Sequence, residues 1–284
     1  MTSIRDCFKD TVGTLTPVLG SRTEAESAAR IIFEDVAGYT RTFIFADGDR
    51  EITDFMRRKI KAVVDKIVAG EPVQYAIGKA RFMGNDFTVT PDVLIPRPET
   101  AALVDMITDD WQGSKDLSVL DVGTGSGCIA VSLALALPFC HVTGLDISDK
   151  AIEVARKNAT DLNADVSFEK CDILKVVPPR SAYDIIVSNP PYVTDSESGD
   201  IDPRVLDYEP HLALFVPDSD PLRFYRAIAT YARTALRPGG RLYFEINSRF
   251  PDEMAKLLQD EGFVRVSVTR DYKGNYRYAS ATTP

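Results

Sequence analysis

The sequence predicts an α/β protein in which a doubly wound sheet ends in an antiparallel hairpin and follows a small helical domain. Two patterns carry this expectation. Downstream of Pro96, short Val- and Ile-rich runs alternate with helical segments, the signature of a mostly parallel sheet covered on both faces. Upstream of Gly70, apolar residues recur at three- to four-residue spacing, the period of an amphipathic helix.

In chain order, Thr23-Glu24-Ala25-Glu26 has a capping-box pattern and precedes apolar Ala28, Ile31, Ile32 and Val36. Thr53 can cap a second helix whose apolar face runs from Phe55 to Val68 and which stops at Gly70-Glu71-Pro72. Arg57, Arg58, Lys59 and Lys61 on that helix read as a solvated face rather than a nucleic-acid patch. Short β-prone runs follow, Val73 to Ile77, Phe82 to Met83 and Phe87 to Val89, as expected of a connecting hairpin. These boundaries give a helical domain over 1–72, a connector over 73–95 and a larger domain over 96–284.

In the larger domain, strands are expected at Val119 to Val122, Val142 to Ile147, Val166 to Phe168, Ile185 to Ser188 and Arg241 to Ile246, with helices from about Cys128, Lys150 and Phe224. Val264 to Val268 and Tyr276 to Ala279 flank the turn-forming Lys273-Gly274-Asn275, a terminal hairpin. The acidic stretch from Thr194 to Asp207 lacks periodicity and reads as a mobile loop over the site.

Composition bounds the function. The chain has 284 residues, 44% hydrophobic and 26% charged, enough for a sizeable core. Its four cysteines are scattered and it has only two histidines, so neither a zinc site nor a disulfide framework is expected, and no metal. That pattern favours a reducing, cytoplasmic compartment. No run approaches the roughly 18 apolar residues of a membrane span. A net charge of −9 argues against stable, non-specific binding to nucleic acid.

The chemistry is carried by two segments. The strand Val119 to Val122 runs into Gly123-Thr124-Gly125-Ser126-Gly127, where glycines let backbone approach a ligand. A dinucleotide fingerprint needs a glycine at Cys128; the G-x-G-x-G spacing instead resembles class I methyltransferases, which use S-adenosyl-L-methionine. About twenty residues on, Asp146 ends an apolar strand where a carboxylate can accept from both ribose hydroxyls; the lesser alternative is a cap for a helix over Ser148 to Lys157. Asp172 ends the third strand, where class I methyltransferases often bind the adenine amino group, and Ile173 would cover the adenine face.

The second segment is Asn189-Pro190-Pro191-Tyr192, at the end of the fourth strand and so beside the proposed cofactor. Successive prolines fix φ and lack N–H groups, leaving stiff backbone whose carbonyls only accept. This suits a planar amide or aromatic-amine nitrogen, whose delocalised lone pair must be oriented toward the methyl. The Asn189 side-chain oxygen and Pro190 carbonyl would accept its N–H groups, and Tyr192 would stack on its plane. The expected catalytic set is Asn189, Pro190 and Tyr192, with Pro191 in the substrate pocket.

Most of the chain resembles the PrmC/HemK family of protein-(glutamine-N5) methyltransferases. The resemblance rests on Gly70 to Gln74, Leu94-Ile95-Pro96-Arg97-Pro98-Glu99-Thr100, Asp121 to Gly127, Asp146, Ile186 to Tyr192, Tyr208-Glu209-Pro210 and Arg270-Asp271-Tyr272. It implies a class I catalytic domain, a helical N-terminal domain that helps grip the substrate, and a peptide chain release factor as partner, methylated on the glutamine of Gly-Gly-Gln. By matching position it implies cofactor binding by Gly123 to Gly127, Asp146 and Asn189, with Arg97 lining the pocket. Ile173 departs from an aromatic in some members, and Glu245-Ile246-Asn247 from the more usual Glu-Ile-Gly. Adenine N6 methylation of DNA or RNA, and glutamine methylation of a ribosomal protein, use the same tetrapeptide logic.

Overall fold

The computed structural model describes residues 2–284. They form two compact units: one up to Lys79 together with Pro203–Tyr208, the other Ala80–Asp202 with Glu209–Pro284.

The first unit is helical, with α1 Ile4–Leu19, α2 Arg22–Ala37, α3 Arg41–Asp47, α4 Asp54–Val68 and α5 Val73–Ile77. Sequence periodicity did not single out α1, although Ser3 caps it and Ile4, Cys7, Thr11, Val12, Leu15 and Leu19 bury one stripe. Ser21, not Thr23, caps α2: its hydroxyl accepts from the Glu24 N–H at 3.1 Å, which places Thr23 inside the first turn. Thr53 caps α4 as expected. Arg57 pairs with Asp54 and Lys61 with Asp65 along the exposed face of α4, so these cations are solvated.

The run Val73 to Ile77, expected to be extended, is the helix α5. Pro72 sets up its start, and Gly78, at φ +83°, closes it with its N–H on the Gln74 and Tyr75 carbonyls. This end geometry outweighs the β preference of Val73, Tyr75 and Ile77.

In the second unit a hairpin, β1 Lys79–Phe82 and β2 Asn85–Thr88, leads to α6 Pro98–Asp110. There follow β3 Ser118–Val122, α7 Cys128–Ala136, β4 His141–Asp146, α8 Asp149–Asp161, β5 Val166–Lys170, β6 Tyr183–Ser188 and the short β7 Val193–Thr194. The remainder is α9 Pro203–Tyr208, α10 His211–Leu214, β8 Phe215–Val216, α11 Arg223–Ala235, β9 Leu236–Glu245, α12 Pro251–Asp260, β10 Val264–Arg270 and β11 Tyr276–Thr282. Of these, α9 belongs to the first unit, where the Tyr208 hydroxyl donates to the Ala69 carbonyl at 3.0 Å. The stretch from Thr194 to Asp207 is thus not irregular. Thr194 and Glu197 form a capping box at the start of a 3₁₀ turn, Asp195–Asp200, and α9 follows.

The seven-stranded sheet runs β10-β11-β9-β6-β3-β4-β5. The pairs β4–β5, β3–β4, β3–β6 and β6–β9 are parallel, while β11 is antiparallel to β9 and to β10. Alternate strand residues face opposite layers. Val119, Ile185 and Val187 pack with α6, α7 and α8; Leu120, Ile186 and Leu242 pack with α11 and α12. Each fully buried aliphatic side chain contributes about 1.5–3 kcal/mol. Strand order reverses between β3 and β6, so their carboxyl ends diverge around the crevice where such sheets bind ligands.

Candidate active site

After β3 the chain turns sharply, and the N–H groups of Gly123 and Thr124 both donate to the Leu145 carbonyl, at 2.8 and 2.9 Å, which pins the turn to the end of β4. Gly125 sits at φ +56° with open space where a Cβ would lie, and its N–H donates to Asp146 Oδ2 at 2.9 Å. Gly127, at φ +79°, serves packing: a Cβ there would meet the Ala155 Cβ at 3.1 Å and the Phe168 ring at 3.4 Å. Asp146 Oδ1 accepts from the Ser148 N–H at 2.9 Å, while Ser148 itself caps α8 through the Ala151 N–H. Asp146 is therefore not the helix cap. Burial raises its carboxyl pKa, opposed by the backbone N–H groups of Ser148 and Gly125.

Beneath the turn lies Asp121, fully buried and accepting from the Thr124 hydroxyl at 2.7 Å. Burial pushes its pKa up to about 7. Past β5, Asp172 pairs with Lys175 at 2.8 Å and accepts from the Leu174 N–H, and the Lys175 bond holds its carboxyl below the ordinary range. Ile173 packs partly against the core beside Cys171 and Val176.

At the end of β6 the Ser188 hydroxyl donates to the Val122 carbonyl at 2.6 Å, binding the two strand ends together. Asn189 Nδ2 then donates to Thr100 Oγ1 at 3.3 Å, and that hydroxyl donates to Glu245 Oε2 at 2.7 Å. The Tyr192 hydroxyl donates to Glu245 Oε1 at 3.2 Å, and the Tyr225 hydroxyl to the Glu245 backbone carbonyl at 3.1 Å. Glu245 is 2% exposed, and burial raises its pKa against the Thr100 hydrogen bond. The Arg97 guanidinium pairs with the buried Glu209 carboxylate, which also accepts from the Ile95 N–H at 3.2 Å.

These elements enclose a cavity of about 480 Å³, within the roughly 300–1,000 Å³ usual for small-molecule sites. Gly123, Thr124, Gly125, Ser126, Asp146, Asp172, Ile173, Arg97, Asn189, Pro190 and Pro191 line it, together with Thr100, hydrogen-bonded to Asn189, and apolar Leu145, Ile147 and Phe224. Gly127 and Tyr192 are not in the lining: Gly127 is turned against α8, and Tyr192 is partly packed against the core with its hydroxyl on Glu245. In the sequence, Thr100 and Glu245 stand only as members of motifs, with no site role marked for their side chains. The available signal was a carboxylate closing the apolar run Leu242 to Phe244 at the carboxyl end of a strand neighbouring β6. Among the described residues no cluster of His, Cys, Asp or Glu is arranged to hold a metal, and no helix is long and apolar enough to cross a membrane.

Residues 113–271 match a methyltransferase domain family, and residues 16–78 match the PrmC N-terminal domain. A release factor glutamine methyltransferase of Bacteroides thetaiotaomicron is 44% identical over 91% of this chain and 92% of its own length. One from Flavobacterium psychrophilum is 41% identical over 89% and 90%. Among solved structures, the T. thermophilus 16S rRNA methyltransferase RsmC superposes with a TM-score of 0.53 at 18% identity, over 72% of this chain and 50% of that one. A methyltransferase from Pyrococcus furiosus superposes at 0.51 and 18%, over 77% and 95%. These two share the class I fold. With the turn at Gly123 to Gly127, Asp146 and the Asn189 to Tyr192 segment all gathered at the carboxyl ends of β3, β4 and β6, the chain belongs to the release factor glutamine methyltransferase family.

Proposed function

We propose that this chain transfers the methyl group of S-adenosyl-L-methionine to the side-chain amide nitrogen (N5) of the glutamine in the Gly-Gly-Gln motif of peptide chain release factors, leaving S-adenosyl-L-homocysteine and supporting translation termination. The observation that carries this reading is the placement of Asn189 and Pro190 in the same cavity as the glycine turn and Asp146. The cavity suits that cofactor: the turn is open above Gly123 and Gly125, and the half-satisfied Asp146 carboxylate keeps lone pairs for ribose hydroxyls. When bound, the cofactor supplies a methyl group made electrophilic by its positive sulfur.

The protein's own residues do the rest. Gly123 to Ser126 give backbone along one side of the cofactor, with Asp146 on the ribose and Asp172 and Ile173 at the adenine. Arg97 shapes the rim through its pair with Glu209. The Asn189 amide oxygen and the Pro190 carbonyl accept the two N–H groups of the glutamine amide, which turns its lone pair toward the methyl. Pro191 walls the slot around that planar group, and Tyr192, outside the cavity lining, steadies the segment through its hydroxyl on Glu245. Holding the reacting atoms in line about 3–3.5 Å apart contributes up to roughly 7–11 kcal/mol of the barrier. No side-chain base is required, because the alkylated nitrogen is acidic and sheds its proton readily. The helical unit grips the protein substrate, and the reaction takes place in the cytoplasm without metal.

Purified protein is incubated with labelled S-adenosyl-L-methionine and, in separate reactions, a release factor, the same factor with its Gly-Gly-Gln glutamine replaced, a ribosomal protein fraction and duplex DNA. Label only on the unaltered factor supports the reading. Label on DNA or on ribosomal protein but not on the factor overturns it.

A further inference from the structure

We propose that Glu245 and Thr100 are positioning residues that decide which end of the Asn189 side-chain amide faces the reacting nitrogen, an inference that rests on the glutamine-methylation reading above. The number of hydroxyl protons in this hydrogen-bonded chain fixes its polarity. A carboxylate only accepts, and Glu245 accepts from two hydroxyls, Tyr192 on Oε1 and Thr100 on Oε2. A threonine hydroxyl has one proton, and Thr100 commits it to Glu245. Toward Asn189 it has only lone pairs left, so the Asn189 group facing it must be the NH₂. The oxygen of the same amide then points away from Thr100, into the cavity that Asn189 lines.

The shape of an asparagine side chain does not set this polarity, because its two ends are nearly isosteric. Only the chain of donors running to Glu245 does. The consequence is chemical: a glutamine amide presents N–H donors, and an Asn189 turned the other way would meet them with its own N–H groups. The site would then repel the group it has to orient. The carboxylate is well fixed for this task. It is 2% exposed, its backbone carbonyl is held by the buried Tyr225, and the Arg277 guanidinium, itself paired with Asp271 at 3.4 Å, supports the negative charge. Neither Glu245 nor Thr100 has to touch the substrate to act this way.

The test compares Thr100→Ser, which keeps the hydroxyl, with Thr100→Val, which keeps the shape and loses it. Turnover, KM for the release factor, cofactor affinity by calorimetry and melting temperature are measured for each. Thr100→Val is expected to lose turnover by roughly 100-fold with cofactor affinity and melting temperature close to wild type, and Thr100→Ser to stay within about threefold of wild type. Glu245→Gln, whose NH₂ can donate to Thr100 and so release the hydroxyl proton toward Asn189, is expected to match Thr100→Val. The double variant is expected to be no slower than the slower single one, because both break the same chain.

Wild-type turnover in Thr100→Val, or equal losses in Thr100→Ser and Thr100→Val, overturns the proposal. If Glu245→Gln does not fold, the Thr100 pair decides alone. If wild-type protein labels another acceptor, the glutamine reading fails, and the Thr100→Ser to Thr100→Val ratio measured on that acceptor decides this proposal separately.

Discussion

The side-chain amide of Asn247 donates to the Tyr192 carbonyl at 2.9 Å, tying the residues just past β9 to the segment that follows β6. The same nitrogen donates to Glu197 Oε2, also at 2.9 Å, and the amide oxygen accepts from the Arg249 N–H. Every polar atom of this buried side chain is in use. A glycine here, the more usual residue in the family the sequence resembles, has no such latch.

Asn247→Gly is therefore expected to destabilise the protein by about 1–3 kcal/mol, since it removes the side-chain donor to the part-buried Tyr192 carbonyl and one of the donors to Glu197 Oε2. For a chain of this size that is a fall of several degrees in melting temperature. Asn247→Asp keeps the volume but has no N–H and faces Glu197, so thermal denaturation should show it at least as damaging.

Asn189→Ala is expected to cut turnover by roughly 100-fold or more while leaving cofactor affinity near wild type. Calorimetric titration of the cofactor alongside steady-state methylation separates the two. Equal losses in both would remove Asn189 from the role of orienting the acceptor.

Asp146→Asn keeps one acceptor oxygen in place of two, while the Gly125 and Ser148 N–H groups compete for it. Losing a hydrogen bond to a charged group costs about 1.5–3 kcal/mol, so cofactor binding should weaken by one to two orders of magnitude. Binding of the release factor alone, measured without cofactor, should not change.

Arg97→Ala removes the cationic partner of Glu209, whose side chain is 1% exposed. An unpaired buried carboxylate is strongly destabilising, by about 3–5 kcal/mol. Glu209→Gln in the same background should recover part of the lost melting temperature. Without that recovery, Arg97 acts through the cavity alone.

Asp121 gives a pH dependence with a definite sign. Its pKa is about 7 in the folded protein against an ordinary 3.8, raised by burial and by the nearby Asp146 charge and opposed by the Thr124 hydroxyl and the Ala130 N–H. Between these values the folded state holds a proton that the unfolded chain has released, so each step up in pH favours unfolding. This contribution is flat below about 4 and complete above about 7. The melting-temperature advantage of Asp121→Asn over wild type should therefore grow from pH 4 to pH 7 and then level off, which calorimetry in a series of buffers checks.

The elements legible in the sequence were those that local chemistry specifies. β3, β4 and β6 show as apolar runs, Thr53 as a cap, and Lys273-Gly274-Asn275 as a turn between two strands. Val73 to Ile77 misled because five residues carry too little period to separate helix from strand, and Pro72 and Gly78 on either side decided it. The Thr194 to Asp207 stretch misled because its order comes from the Thr194–Glu197 capping box and from distant Asn247, not from an apolar stripe.

The sequence by itself determined the α/β architecture, the glycine turn with Asp146, and the stiff Asn189 to Tyr192 segment, because each is written in contiguous residues whose backbone preferences are local. Only the tertiary structure decided that Thr100, Asn189, Tyr192 and Glu245 form one hydrogen-bonded chain, since those residues lie on α6, after β6 and at the end of β9. A hydrogen bond depends on where donors and acceptors meet in space, and the pairing of β6 with β9 brings these together.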